Sequence, residues 1–182
     1  MKHILTLFLF LGMTLGMSAQ QHLKFMGIPL DGTINNFQQQ LQAKGMTPDA
    51  ESNRILGVGI RAFKGRFSGY DAMVAIFYDE RTKKVYKAKV IIEASTSDMC
   101  EQYYEDLKGN LIRKYGEGKT ETKNGHEGVI FAVFPPEDDT ICGLIGLAVS
   151  KSESYPYVHT VDVEYYDGIN YLEHEDNKMD DL

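Results

Sequence analysis

Tryptophan is absent from the 182 residues, proline occurs five times and cysteine only twice. Each shortage excludes something. Two cysteines in a chain of this length make no disulfide framework. Cys100 and Cys142 read as two small buried apolar residues. A bridge between them is the alternative, permitted in an oxidising compartment and requiring Cα atoms within about 7 Å. No cysteine stands directly after the leader region, which closes the lipoprotein route. No later apolar run approaches the roughly 20 residues needed to span a bilayer, so no transmembrane segment is expected after the leader. Cations are outnumbered: 19 Lys and Arg face 26 Asp and Glu, a net charge of −7. Such a chain repels phosphate backbones, and nucleic acid is not expected as a partner.

Catalytic motifs are missing as well. Gly116-Glu117-Gly118-Lys119-Thr120 ends like a phosphate-binding loop. Arg113, however, stands where the loop needs its first glycine, and a helical pattern rather than a strand precedes it. Gly57-Val58-Gly59-Ile60-Arg61-Ala62 begins like a dinucleotide fingerprint but sits in a strand pattern, not at a helix start. His22, His126, His159 and His174 supply no recognised context for a cysteine nucleophile. The acidic residues around Glu173 and Asp180 belong to a charged terminus that fixes no coordination geometry. No metal and no cofactor is expected, and the chain reads as a non-enzyme. The alternative is a hydrolase acting on envelope or dietary polymers by carboxylate chemistry, because the spacing of paired carboxylates is three-dimensional.

What the sequence does contain begins with a leader. Lys2 and His3 form a basic start, Ile4 to Met17 an apolar run, and Met17-Ser18-Ala19 a small-residue cleavage site. Residues 1–19 are therefore expected to be a signal peptide, with the remainder working in the periplasm or outside the cell. That remainder is long enough for one domain, burying roughly 70% of its unfolded surface.

Two segments carry helical periodicity. Thr33 caps a helix expected to run to residue 44, with Ile34, Phe37 and Leu41 on one face and Gly45 as its stop. Ser97-Asp98 opens a second helix, with Asp98 and Glu101 as a capping box and an apolar stripe of Cys100, Tyr103, Tyr104, Leu107, Leu111 and Tyr115. Elsewhere the period is two. It holds over 54–94, where Tyr86, Ala88, Val90 and Ile92 face one way and Lys87 and Lys89 the other. It returns after Gly116, with strands expected at 129–134, 141–149 and 157–166. Ser68-Gly69, residues 80–83 and Asn124-Gly125 are the turn signals between them. Leu23 to Leu30 reads as an extended lead-in.

The fold class is therefore α+β. Two helix-plus-antiparallel-meander units, 23–94 and 95–172, are expected to form one sheet of seven or eight strands with the helices on one face. Together they make a single domain over 20–172, followed by an acidic, disordered tail at 173–182.

His22-Leu23-Lys24-Phe25-Met26-Gly27-Ile28-Pro29-Leu30-Asp31-Gly32-Thr33 and Val163-Glu164-Tyr165-Tyr166-Asp167-Gly168-Ile169-Asn170 resemble the opening and closing segments of small secreted proteins of unknown function from Bacteroides and related gut bacteria. The repeated helix-and-sheet plan is similar to the β-lactamase inhibitor protein fold. That second likeness is architectural; it implies a binding module without naming its partner. Alternation then selects the contact residues. Lys87, Lys89, Thr160, Asp162, Glu164 and Tyr166 project opposite the helix-covered core and suit a polar interface with a protein partner.

Overall fold

A computed structural model describes residues 21–123, 126–136, 139–151 and 158–179. The expected signal peptide and the Asn124-Gly125 turn lie outside the described residues. The chain starts with a two-stranded hairpin, β1 (Lys24–Phe25) and β2 (Ile28–Pro29), and continues through α1 (Ile34–Ala43), β3 (Thr47–Pro48), α2 (Ala50–Ile55), β4 (Ile60–Phe67), β5 (Tyr70–Tyr78) and β6 (Val85–Ala94). The second half comprises α3 (Ser97–Tyr115), β7 (Lys119–Lys123), β8 (His126–Val133), β9 (Gly143–Lys151), β10 (His159–Asp167) and α4 (Gly168–Met179).

Strands β3 to β10 form one eight-stranded antiparallel sheet in the order β3-β4-β5-β6-β10-β9-β8-β7. Each half feeds its strands inward from an edge, so the last strand of each, β6 and β10, meet at the centre. Short connections enforce this. Ser68 and Gly69, both at positive φ, turn β4 into β5 in the two-residue geometry that matches strand twist. Asp79 closes the next turn by accepting the Arg81 and Thr82 amides on Oδ1 at 3.0 and 2.7 Å.

Helices α1 and α3 cover one face. Ile34, Phe37 and Leu41 of α1 and Cys100, Leu107 and Leu111 of α3 join Val90, Ile92, Val161 and Val163 in a single buried cluster. Fully burying each large aliphatic side chain contributes about 1.5–3 kcal/mol. The cap of α3 is Thr96 rather than Asp98: its hydroxyl accepts the Met99 amide at 3.2 Å. Cys100 and Cys142 are both buried and unbridged.

Four further expectations are corrected. Leu23 to Leu30 is not a plain lead-in. Met26 and Gly27, at φ 51° and 80°, fold it into the β1–β2 hairpin, which buries Leu23, Phe25, Ile28 and Leu30. The two-residue period does not begin at 54, because Ala50–Ile55 is helical and the strand starts at Ile60. Tyr86 does not share the face of Ala88, Val90 and Ile92. The register slips between Phe77 and Tyr78, which pair with Lys87 and Val85, so a bulge at Tyr86 turns its ring toward Phe77, Tyr171 and His174.

The fourth correction concerns the tail. Residues 173–179 belong to α4, and 180–182 lie outside the described residues. Composition misled because α4 is held by polar contacts, not by an apolar stripe. Asn170 donates to Leu30 O at 2.6 Å and Val85 O at 2.9 Å. His174 meets Asp79 at 3.0 Å, and Lys84 meets Glu173 at 2.7 Å. Its first turn is fixed by Asp167, which accepts the Asn170 amide at 2.9 Å while holding His22 at 3.0 Å.

Candidate functional site

The β6–β10 register places Lys87 opposite Tyr166, Lys89 opposite Glu164, Ile91 opposite Asp162 and Glu93 opposite Thr160. The even residues of β10 and the odd residues of β6 therefore share the face away from α1 and α3. All six sequence-selected residues lie there, but they are not independent contact groups. Lys89 Nζ lies 2.8 Å from Asp162 Oδ2 and 3.3 Å from Glu164 Oε1. Lys87 Nζ lies 3.1 Å from Glu164 Oε2 and donates to the Tyr166 hydroxyl at 2.8 Å. Tyr166 in turn donates to Glu164 Oε2. Lys87 also sits 5.0 Å from the Phe77 ring centroid and 4.5 Å from that of Tyr166, a cation–π arrangement on two rings. Thr160 stands outside this network, opposite Glu93 and Ser150.

The charges are set by mutual pairing. Burial would lower the Lys89 pKa, but the Asp162 hydrogen bond and the two carboxylate charges outweigh it and raise it. Burial would raise Glu164, yet the Tyr166 hydroxyl and the two lysines bring it below the usual carboxylate value. Burial and the bond to Glu164 raise Tyr166. Two cations thus neutralise two carboxylates within one partly buried cluster. One atom is left over: Asp162 Oδ2 is occupied by Lys89 and, at 3.2 Å, by the Ser150 hydroxyl, whereas buried Oδ1 has no hydrogen-bond partner among the described residues.

The face is shaped by residues that alternation alone did not single out. Beside the network, Gly128, Ile130, Gly146, Ala148 and Ser150 floor a depression of about 390 Å³, bounded by Lys89, Asp162 and Glu164 on one side and Glu121 of β7 on the other. A Cβ on Gly146 would meet nothing within 4 Å. The signal was legible in β9, where Gly146, Ala148 and Ser150 occupy every second position. A second depression, of about 560 Å³, lies over the first-half strands and includes Asp49, Ser52, Lys64, Met73, Ile91 and Glu93. Asp49 accepts from Ser52 Oγ at 2.5 Å and pairs with Lys64 at 3.0 Å. The Ser52 bond, then Lys64, lower its pKa to about 2. Ile91 and Asp162 are cross-strand partners, so the two depressions abut along the central seam.

Elsewhere, the His174–Asp79 pair has the form of an oriented base. The Thr82 hydroxyl donates to the same Asp79 at 3.0 Å, and the His174 ring stacks on Tyr86 with centroids 4.0 Å apart. Among the described residues, no group of three or more His, Cys, Asp or Glu side chains could hold a metal ion. No helix among the described residues is long and apolar enough to cross a membrane. No family model, curated protein or solved structure matches the chain.

Proposed function

We propose that this chain is an exported binding module that engages a protein partner across the open sheet face, and that it is not an enzyme. The observation that carries the reading is the meeting of two depressions at the Ile91–Asp162 seam. A surface built from strands of both halves is broader than a small substrate needs and suits a macromolecular contact. Its chemistry fits: neutralised charge pairs, hydroxyls, and a floor made mostly of small side chains that admits a partner's larger ones. The hydrolase reading needs a carboxyl group held protonated to act as an acid. Glu164 is instead held ionised, which favours binding over carboxylate chemistry.

Charge reversal at Lys87 and Lys89 is a poor test, because it would set four carboxylates together and act on folding. Gly146→Trp is a better probe, since open space stands where its side chain would begin. The wild-type chain should capture a defined protein from the native envelope fraction. Gly146→Trp should weaken that complex at least tenfold while leaving the thermal midpoint within a few degrees. Glu101→Arg, on an exposed position of α3, should leave the complex intact. Equal capture by the tryptophan variant would overturn the assignment.

A further inference from the structure

On the opposite face, the cover formed by α1 and α3 is incomplete. The β1–β2 hairpin and the β4–β5 turn approach the second half of α3 but leave a cavity of about 330 Å³ between them. Its floor is Val163 and Tyr165 of β10, and Leu107 and Leu111 of α3 form one wall. Phe67 supplies the facing wall and is locked in place: its ring stacks on Phe25 at 5.8 Å, and Tyr165 packs edge-on against both, at 5.1 and 6.4 Å. An apolar recess with rigid aromatic walls binds without a large ordering cost.

The mouth is charged with one sign. Lys24 and Lys114 line it, and no carboxylate among the described residues does. Neither lysine forms an ion pair with any described residue, although acidic residues outnumber basic ones along the chain. Lys114 instead lies 4.9 Å from the centroid of the Tyr115 ring, beside the cavity. In a chain of net charge −7, two unpaired cations over an apolar recess make a selective arrangement. It repels cationic amphiphiles and offers neutral ones no compensation at the head.

We propose that this cavity is a binding site for a small amphiphile with a single alkyl body and a monoanionic head, the chain lying over Val163 and Tyr165 and the head between Lys24 and Lys114. The site is separate from the open sheet face and does not depend on how that face is used.

Decanoate, decanol and decyltrimethylammonium are the probes, titrated into the protein expressed from its full sequence and followed by calorimetry and methyl NMR. Decanoate should bind with a dissociation constant below about 1 mM and shift the methyl signals of Leu107, Leu111 and Val163. Decanol should bind about tenfold more weakly, and the cationic probe should not bind. Lys24→Glu with Lys114→Glu should weaken decanoate at least tenfold and leave decanol unchanged. Asn110→Trp, filling the mouth from α3, should abolish binding of both. Equal affinity for decanoate and decanol, or an undiminished decanoate affinity in the double variant, would overturn the proposal. So would shifts confined to other methyl groups. Vesicles of anionic phospholipid form the last arm: sedimentation with vesicles in the absence of decanoate binding would assign the lysines to a lipid surface and refute the cavity site.

Discussion

Lys89 reaches from β6 to set its Nζ 2.8 Å from Oδ2 of Asp162 on β10, while Oδ1 of the same carboxylate stays buried and without a hydrogen-bond partner among the described residues. The pair joins the final strands of the two halves: Lys89 also reaches Glu164, but it is the one cation paired with Asp162 among the described residues. Lys89→Met strands a buried carboxylate and should cost about 2–4 kcal/mol. Lys89→Met with Asp162→Leu removes both charges and should cost less than the single change. Urea denaturation of the four members of this cycle measures the coupling. Additive costs would show that the two residues act separately.

Gly143 and Gly146 lie three residues apart on β9 and make opposite demands. A Cβ at Gly143 would stand 2.4 Å from the Tyr166 carbonyl oxygen, a backbone atom that cannot swing away. Gly143→Ala should destabilise by about 2 kcal/mol or more through backbone displacement. Gly146→Ala meets no neighbour and should be neutral or stabilising by about 0.5–1 kcal/mol, through reduced freedom of the unfolded chain. Thermal midpoints of the two variants decide the matter, and equal effects would contradict it.

Acid should loosen the fold by way of Asp79. Its burial favours the neutral form, but the Thr82 amide, His174, the Thr82 hydroxyl and Asn177 together hold the pKa below that of a free aspartate. A depressed folded-state pKa contributes stability above the unfolded value of about 3.9 and loses it as pH falls toward the folded value. Asp49, lowered to about 2, acts in the same sense. The wild-type midpoint should therefore drop steeply below about pH 4. Asp79→Asn should be less stable by about 1–2 kcal/mol at pH 7, allowing for solvent screening, with a shallower acid limb. Parallel pH profiles of the two proteins would rule out this role.

Asn170 is the buried pin of α4, with one amide nitrogen shared between the Leu30 and Val85 carbonyls. Asn170→Ala leaves both acceptors without that donor and should cost about 2–3 kcal/mol. Hydrogen exchange should show where the loss falls: amides of α4 should lose protection before those of β6 and β10. Uniform loss of protection across the sheet would mean that α4 has no separate opening.

Much of this architecture could be read in advance because burial on one face writes a period into the chain. Phe37 and Leu41, Leu107 and Leu111, and Val161 and Val163 all announced their faces by spacing, and all are buried. The same alternation put Lys87, Lys89, Asp162, Glu164 and Tyr166 on one surface. It did not reveal that they would bind one another, because parity fixes a face and says nothing of rotamers. Tyr86 was misassigned since a bulge changes the count by one without any marker of its own. Helix α4 was missed because its anchors, Asn170 and His174, are polar and their partners lie 85 to 140 residues away. No local pattern records such contacts.

The outer strands of the sheet carry one further consequence. At one rim, β3 is two residues long and contains Pro48. At the other, β7 reads Lys-Thr-Glu-Thr-Lys. If a second copy added itself to β7 in antiparallel register about Glu121, Lys119 would face Lys123 and Glu121 would face its own twin. Like charges directly opposite one another disfavour pairing, and a short, proline-bearing strand offers no template. A sheet eight strands wide is thereby kept from growing into a fibre at either rim.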